Sequence, residues 1–484
     1  MEKTLNNGKI DRPIANKMGT KPIGRLLFGM AVPLVISMLV QALYNVVDSY
    51  FVAKLGDMLE TGSAAVDALG EKVNIPLTAV SLAYPIQMLM IAVSVGTSVG
   101  MNSYISRNLG AGNHEAANKG ASNGIFLLFV SSLVFSVLGF FVTPFFKLFA
   151  DDPELIENGV TYLRICMWFC TGIFLQLGCE RILQSMGKNG LSMTTQLIGA
   201  ITNIILDPIL IFGRFGFPAL GIAGAAYATV IGQWLGLVVA LVLVLFGDHT
   251  VKLSFKGFRV CGETVKEIYR VGLPSILLQA IGSVMNVGMN SIFSRVLADN
   301  SGVSIMGVYF KVQSLIFMPL FGVTNASMSI LAYNYGARNR LRLTKAWRLT
   351  LIVAIVIMLI GTLMFQLFPS DIIRLFDEKG RIASGGAAAF RIISLSFVLA
   401  AASITNSVTF NALGRGTASM IMSLIRQLCV LLPAAYLLAV IFKNVESVWW
   451  SFLIAEFVAF AYSFIMLRRI WKKDIAHLPD GASI

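Results

Sequence analysis

Asn203-Ile204-Ile205-Leu206-Asp207-Pro208 sets an amide, a carboxylate and a proline inside a run that is otherwise apolar. The flanking Leu197, Ile198, Ile201, Leu210, Ile211 and Phe212 give that run the character of a membrane span. An acid at such a depth is costly and by default marks a functional site. Asn203 and Asp207 are four residues apart, so on a helix they share one face. Pro208 has no N–H to offer the carbonyl of Ile204, which leaves that oxygen free for a ligand.

The rest of the chain has the same character. Of 484 residues, 56% are hydrophobic and 13% charged, and the mean hydropathy is +0.76. That excludes an ordinary soluble domain and predicts a polytopic membrane protein. Met1–Lys21 is polar and basic and does not read as a removable signal peptide. The five cysteines, Cys166, Cys170, Cys179, Cys261 and Cys429, read as small buried hydrophobes rather than disulfide or metal ligands. A net charge of +13 in a soluble protein suggests nucleic acid. Here the basic residues flank apolar spans, so membrane orientation accounts for them and no nucleic-acid partner is expected.

At about 20 apolar residues per span, twelve helices are expected, at roughly 24–54, 76–107, 116–148, 157–187, 190–213, 218–247, 264–298, 303–335, 342–369, 385–414, 417–442 and 446–470. Alternate loops divide the charge. One side collects Lys17, Lys21, Arg107, Lys188, Lys252, Lys256, Arg338, Arg340, Arg342, Arg415, Arg468 and Lys472 among others. The opposite loops carry Asp151, Asp152, Glu154 and Glu157, then Asp371, Asp377 and Glu378. The basic side is expected to be cytoplasmic and to hold both termini, in a bacterial-type inner membrane.

A repeat crosses the middle of the chain. Asn108-Leu109-Gly110-Ala111-Gly112-Asn113 aligns with Asn334-Tyr335-Gly336-Ala337-Arg338-Asn339 at an offset of 226, which also pairs Gly96 with Gly322 and Gln87 with Gln313. Met186-Gly187-Lys188 aligns with Leu413-Gly414-Arg415 at 227, and Pro33 and Asn45 with Pro274 and Asn286 at 241. The expected fold is an all-α integral membrane protein, two pseudo-symmetric six-helix bundles around a central cavity. The segments are a tail at 1–23, a lobe at 24–247, a linker at 248–263, a second lobe at 264–470 and a tail at 471–484. Two halves of six helices share one orientation, as in transporters that rock around a central site.

Asp48 lies six residues from Lys54 and Asp207 seven from Arg214, so both acids sit about 9–10 Å below the same surface. Asn45 and Asn203 lie one turn deeper, and Thr229 is at a comparable depth. Such a cluster supplies hard oxygen ligands for a small cation, or two carboxylates that share a proton. The competing reading makes each acid a solvated residue near the interface. Tyr44 and Asn45 are candidate supports of this site, and Gln41, Asn286, Asn290, Arg426 and Glu456 are candidates for the cavity or for coupling. Arg426 and Glu456 also suit mutual neutralisation, and Glu180 with Arg181 a structural pair or anchor. Lys311 and Arg391 fall deep enough to need partners that the sequence does not name. The second half has no copy of the acids: Asp48 aligns with Met289 and Asp207 with Ala434. Gly224, Ala228, Gly232 and Gly236 need no more than close helix packing to explain them. There is no Gly-x-x-x-x-Gly-Lys-Ser/Thr loop for ATP, and no histidine inside a span.

These residues resemble the multidrug and toxic compound extrusion (MATE) transporters. The likeness rests on Pro33 with Asp48, Gly110–Asn113, Gln184–Lys188, Asn203–Pro208 and Gly224–Thr229, within twin halves. It is nearest the DinF-like bacterial branch with its MepA-like pumps. The resemblance implies a cation site at Asp48, Asn203, Asp207 and Thr229. The NorM-like branch carries acids in the seventh and tenth helices, which this chain lacks. It further implies export of bulky, often cationic and aromatic drug-like compounds against inward Na⁺ or H⁺, no enzyme activity, no cofactor and a monomer in the bilayer. A flippase for a lipid-linked substrate of the same superfamily is the alternative, and the scarcity of deep positive charge ranks it second.

Overall fold

A computed structural model describes residues 16–58, 74–149, 151–247, 249–297, 301–374 and 383–480. The tail before Asn16, the loop at 59–73 and the acidic pair Asp377 and Glu378 lie outside the described residues. Among the described residues ten helices are long and apolar enough to cross a membrane: α1 Ile23–Gly56, α2 Ile75–Gly110, α3 His114–Phe149, α5 Asn189–Phe212, α6 Ile222–Phe246, α7 Gly262–Val296, α8 Ser301–Gly336, α9 Arg340–Leu367, α11 Gly416–Phe442 and α12 Val445–Ile475. The remaining two spans are bent pairs. Span α4 is Pro153–Trp168 with Thr171–Ser185, bent by 45°, and α10 is Gly385–Ser394 with Phe397–Ala412, bent by 48°.

These bends fall 226 residues apart, inside the spans expected at 157–187 and 385–414. Neither break contains proline, so the freed carbonyls are held by tertiary donors instead. Trp234 Nε1 donates to the Phe169 carbonyl at 3.1 Å, and Ser136 Oγ to those of Met167 and Trp168 at 3.2 Å. In α10, Thr362 Oγ1 donates to the Ser394 carbonyl at 3.1 Å and Gln366 Nε2 to that of Arg391 at 2.8 Å. Irregular backbone at membrane depth survives only where neighbouring helices satisfy it.

The repeated motifs are the joints of this fold. Asn113 and Asn339 cap the following helices, accepting from the N–H of Ala116 and Arg342 at 3.0 Å. Gly187 and Gly414 end α4 and α10 with φ of +76° and +75°, a left-handed stop that glycine takes without a Cβ clash. Gly96 of α2 packs on Ile276 of α7, while Gly322 of α8 packs on Val35 of α1, which is the same contact repeated about the pseudo-twofold axis.

Both described chain ends lie at one face. Arg342 Nη2 donates to the carbonyls of Met18 and Lys21, and Arg340 pairs with Asp480. Among the described residues, every hydrogen bond between the halves lies towards this face. Ser103 Oγ donates to the Asn411 carbonyl at 2.6 Å, Ser329 Oγ to Asn102 Oδ1 at 3.2 Å, and Arg181 Nη1 to Asn325 Oδ1 at 3.3 Å. Two apolar clusters cross the seam there, one joining Leu26 and Met30 to Leu331 and Phe410, the other joining Met101 and Ile105 to Ile268. Towards the opposite face the two remaining apolar clusters each stay within one half, one built on Val52, Phe146 and Ile211 and the other on Phe293, Tyr309 and Trp449. The contacts that clamp the halves together are those at the termini face.

Candidate functional site

Helix α5 runs through Pro208 without a break and brings Asn203 and Asp207 onto one buried face against α1 and α6. Asp207 is fully buried and Asn203 is 3% exposed. Their close neighbour is α6, because glycine at Gly224 and Gly232 lets the backbones touch. A Cβ on Gly232 would meet the Gly199 carbonyl oxygen at 2.7 Å, and one on Gly224 the Leu210 carbonyl at 2.5 Å. Packing accounts for that small-residue run, as expected. It also delivers Thr229 to Asn203.

The Asn203 amide bridges two helices. Oriented to satisfy both neighbours, its nitrogen donates to Asp207 Oδ2 at 3.2 Å, and its oxygen accepts from the N–H and hydroxyl of Thr229 at 3.1 and 3.2 Å. Asp48 of α1 lies within repulsive range of Asp207. Its Oδ1 is buried and has no hydrogen-bond partner. No lysine or arginine forms an ion pair with either acid among the described residues. Asp207 is thus buried and Asp48 half-buried with neither given a fixed counter-charge among the described residues, and a buried anion in that condition is costly by several kcal/mol. A proton or a small monovalent cation relieves it.

Tyr44 sits in the field of both acids, whereas the side chains of Asn45 and Gln41 are exposed. Three residues that the sequence reading did not single out complete the surroundings. Tyr162 and Cys166 on the first limb of α4 lie in the field of Asp48, and Gln87 Nε2 donates to the Tyr162 hydroxyl at 3.5 Å. Gln87 had surfaced only as a repeat match to Gln313. The other two looked like ordinary apolar-span residues.

Elsewhere the expectations divide. Arg426 and Glu456 do neutralise one another, at 2.9 Å. Glu180 and Arg181 do not face each other. Glu180 accepts from Gln176, Thr195 and Gln196 at 3.1, 2.9 and 2.6 Å, while Arg181 donates to Gln184 and Asn325. Neighbouring residues on a helix point about 100° apart, so an anchor is right and a pair is not. Lys311 and Arg391 are exposed rather than buried against a partner. Asn286 is half-buried, and Asn290 holds a buried Oδ1 without a partner. All five cysteines are free, though Cys261 is half-buried and Cys429 exposed rather than buried.

The MatE family model matches residues 33–209 and again residues 274–437. The multidrug export protein MepA of Staphylococcus haemolyticus is 24% identical over 462 residues, covering 95% of this chain and 97% of the relative. A FAD transporter of Shewanella oneidensis is 23% identical over 420 residues, covering 86% and 88%. A solved multidrug resistance MATE family transporter in an outward-facing conformation superposes with a TM-score of 0.85 at 25% identity, covering 97% of this chain and 98% of that one.

Proposed function

This chain belongs to the MatE family of multi-pass membrane transporters, and from that premise we propose that it exports bulky, often cationic and aromatic compounds in exchange for inward Na⁺ or H⁺. The observation that carries the coupling is the pairing of buried Asp207 with half-buried Asp48, close enough to repel and without a basic partner among the described residues. An incoming cation is the missing charge. Asn203 holds Asp207 in place by its N–H donation and is itself fixed by Thr229.

Cross-seam contacts gathered at the termini face fit one end state of alternating access. With the basic loops cytoplasmic by the positive-inside rule, that state opens outward. A cation entering from outside then meets Asp48 on α1, the helix that also forms the seam through Val35. Pro33 lies beside that seam and leaves the Gly29 carbonyl without its helical donor, a natural place for α1 to bend. Cation and cargo need only prefer different states for each to shift the other's binding. The transporter relatives and the absence of a nucleophile–base set in the sequence both favour export over catalysis. A lipid-pyrophosphate flippase finds less support, because Arg426 is already engaged by Glu456.

Proteoliposomes loaded with ethidium under an imposed Na⁺ or H⁺ gradient test the reading. Dye movement that follows one gradient and collapses with its ionophore is expected. Dye movement indifferent to both gradients, or none, contradicts it.

A further inference from the structure

The second half has no copies of Asp48 and Asp207, yet it is not apolar at the equivalent place. The offset of 227 that pairs Gly187 with Gly414 also pairs Thr229 of α6 with Glu456 of α12, and Gly199 of α5 with Arg426 of α11. Burial follows the same register. Gly224 and Ser451, Ala225 and Phe452, Ala228 and Ala455, Gly232 and Ala459 are buried in both helices, while Tyr227 and Ile454 are exposed in both. Glu456 therefore stands where Thr229 stands in the first half.

Its charge is met by a tethered cation. Arg426 Nη1 donates to Glu456 Oε1 at 2.9 Å, with side-chain exposures of 22% and 12%. The other carboxylate oxygen, Oε2, is buried and accepts nothing. Arg426 lies in the π-helical segment Ile425–Leu431, a local widening that recurs at functional sites. Tyr309, which lies in the field of both charges, packs edge-on against Phe452 with ring centroids 5.9 Å apart. Tyr309 and Phe452 are themselves buried and back the carboxylate, so a carboxylate with one oxygen unused and a displaceable guanidinium is what remains for an organic ammonium to recognise.

We infer that Glu456 is a recognition site for the cationic group of the cargo, with Arg426 as the resident counter-ion that the cargo displaces. This rests on the export reading and names the half of the protein that selects charge. Asp48 and Asp207 take the coupling ion, and Glu456 takes the cargo. Arg426 sets the threshold: a ligand must outcompete an ion pair already formed, which penalises neutral compounds.

Ethidium binding to the purified full-length protein, read by fluorescence anisotropy, tests this through opposite signs. Glu456→Gln should weaken binding about tenfold or more, and Arg426→Gln, which keeps a hydrogen-bonding partner but removes the competing charge, should tighten it. A purely structural ion pair predicts weakening in both. Binding of anionic fluorescein should not improve in Arg426→Gln. Should Arg426→Gln not purify folded, Arg426→Lys is the second variant, and affinity at or above wild type supports competition while a loss opposes it. Cation binding at Asp48 and Asp207, measured on the same samples, separates the two readings. If it is intact while both variants bind ethidium as wild type does, or if wild type binds no ethidium, the Glu456 assignment falls and the coupling site stands.

Discussion

Gly110 at the end of α2 abuts the carbonyl of Tyr333, and Gly336 at the end of α8 abuts the carbonyl of Arg107. The two glycines are 226 residues apart in sequence and make one contact seen from its two sides. A side chain at either position meets backbone, which cannot swing away. These glycines set how closely the clamped face shuts.

Gly336→Val should therefore prise that face open. Overpacking of this kind costs about 1–3 kcal/mol, enough to shift a balanced two-state equilibrium roughly 5- to 150-fold. Spin labels at Ala111 and Ala337, both exposed on the clamped face, should report longer distances in the variant. An unchanged distance distribution contradicts the glycine clamp.

Glu180 should prove to be an anchor of the first lobe. All three of its neighbours can donate to it, and a glutamine places an N–H among donors. Glu180→Gln should lower the stability of the purified protein by about 1–3 kcal/mol, read as a lower thermal midpoint. Unchanged stability counts against the network.

The Asn203–Thr229 bridge at the proposed cation site predicts unequal effects from its two members. Thr229→Val removes the hydroxyl but leaves the backbone N–H, 3.1 Å from the Asn203 oxygen. Coupling-ion affinity should fall by no more than about threefold. Asn203→Leu strips Asp207 of its donor, and a loss of about tenfold is expected. Equal losses would instead make Thr229 a direct ligand. Titration of ion binding to the two variants decides.

The spans, the repeat and the grouping of Asn203, Asp207 and Thr229 were legible in the sequence, because those signals are periodic or costly. Asp207 stands out precisely as an acid among Ile205, Leu206 and Ile209. The bends at Phe169–Cys170 and Leu395–Ser396 were illegible, since their cause is Trp234, Ser136, Thr362 and Gln366 on other helices. The same holds for Glu180, whose donors Thr195 and Gln196 come from α5. Lys311 and Arg391 looked deep by counting residues, but depth along a helix does not say which way a side chain faces.

Asp48 and Asp207 are proposed to power export, and the rest of the protein is expected to fold without their charge. Gradient-driven ethidium transport by purified, reconstituted Asp48→Asn and Asp207→Asn measures it directly. Both variants should reach the membrane folded and lose gradient-driven transport, falling to the rate of empty liposomes. Wild-type transport by either variant would contradict the account.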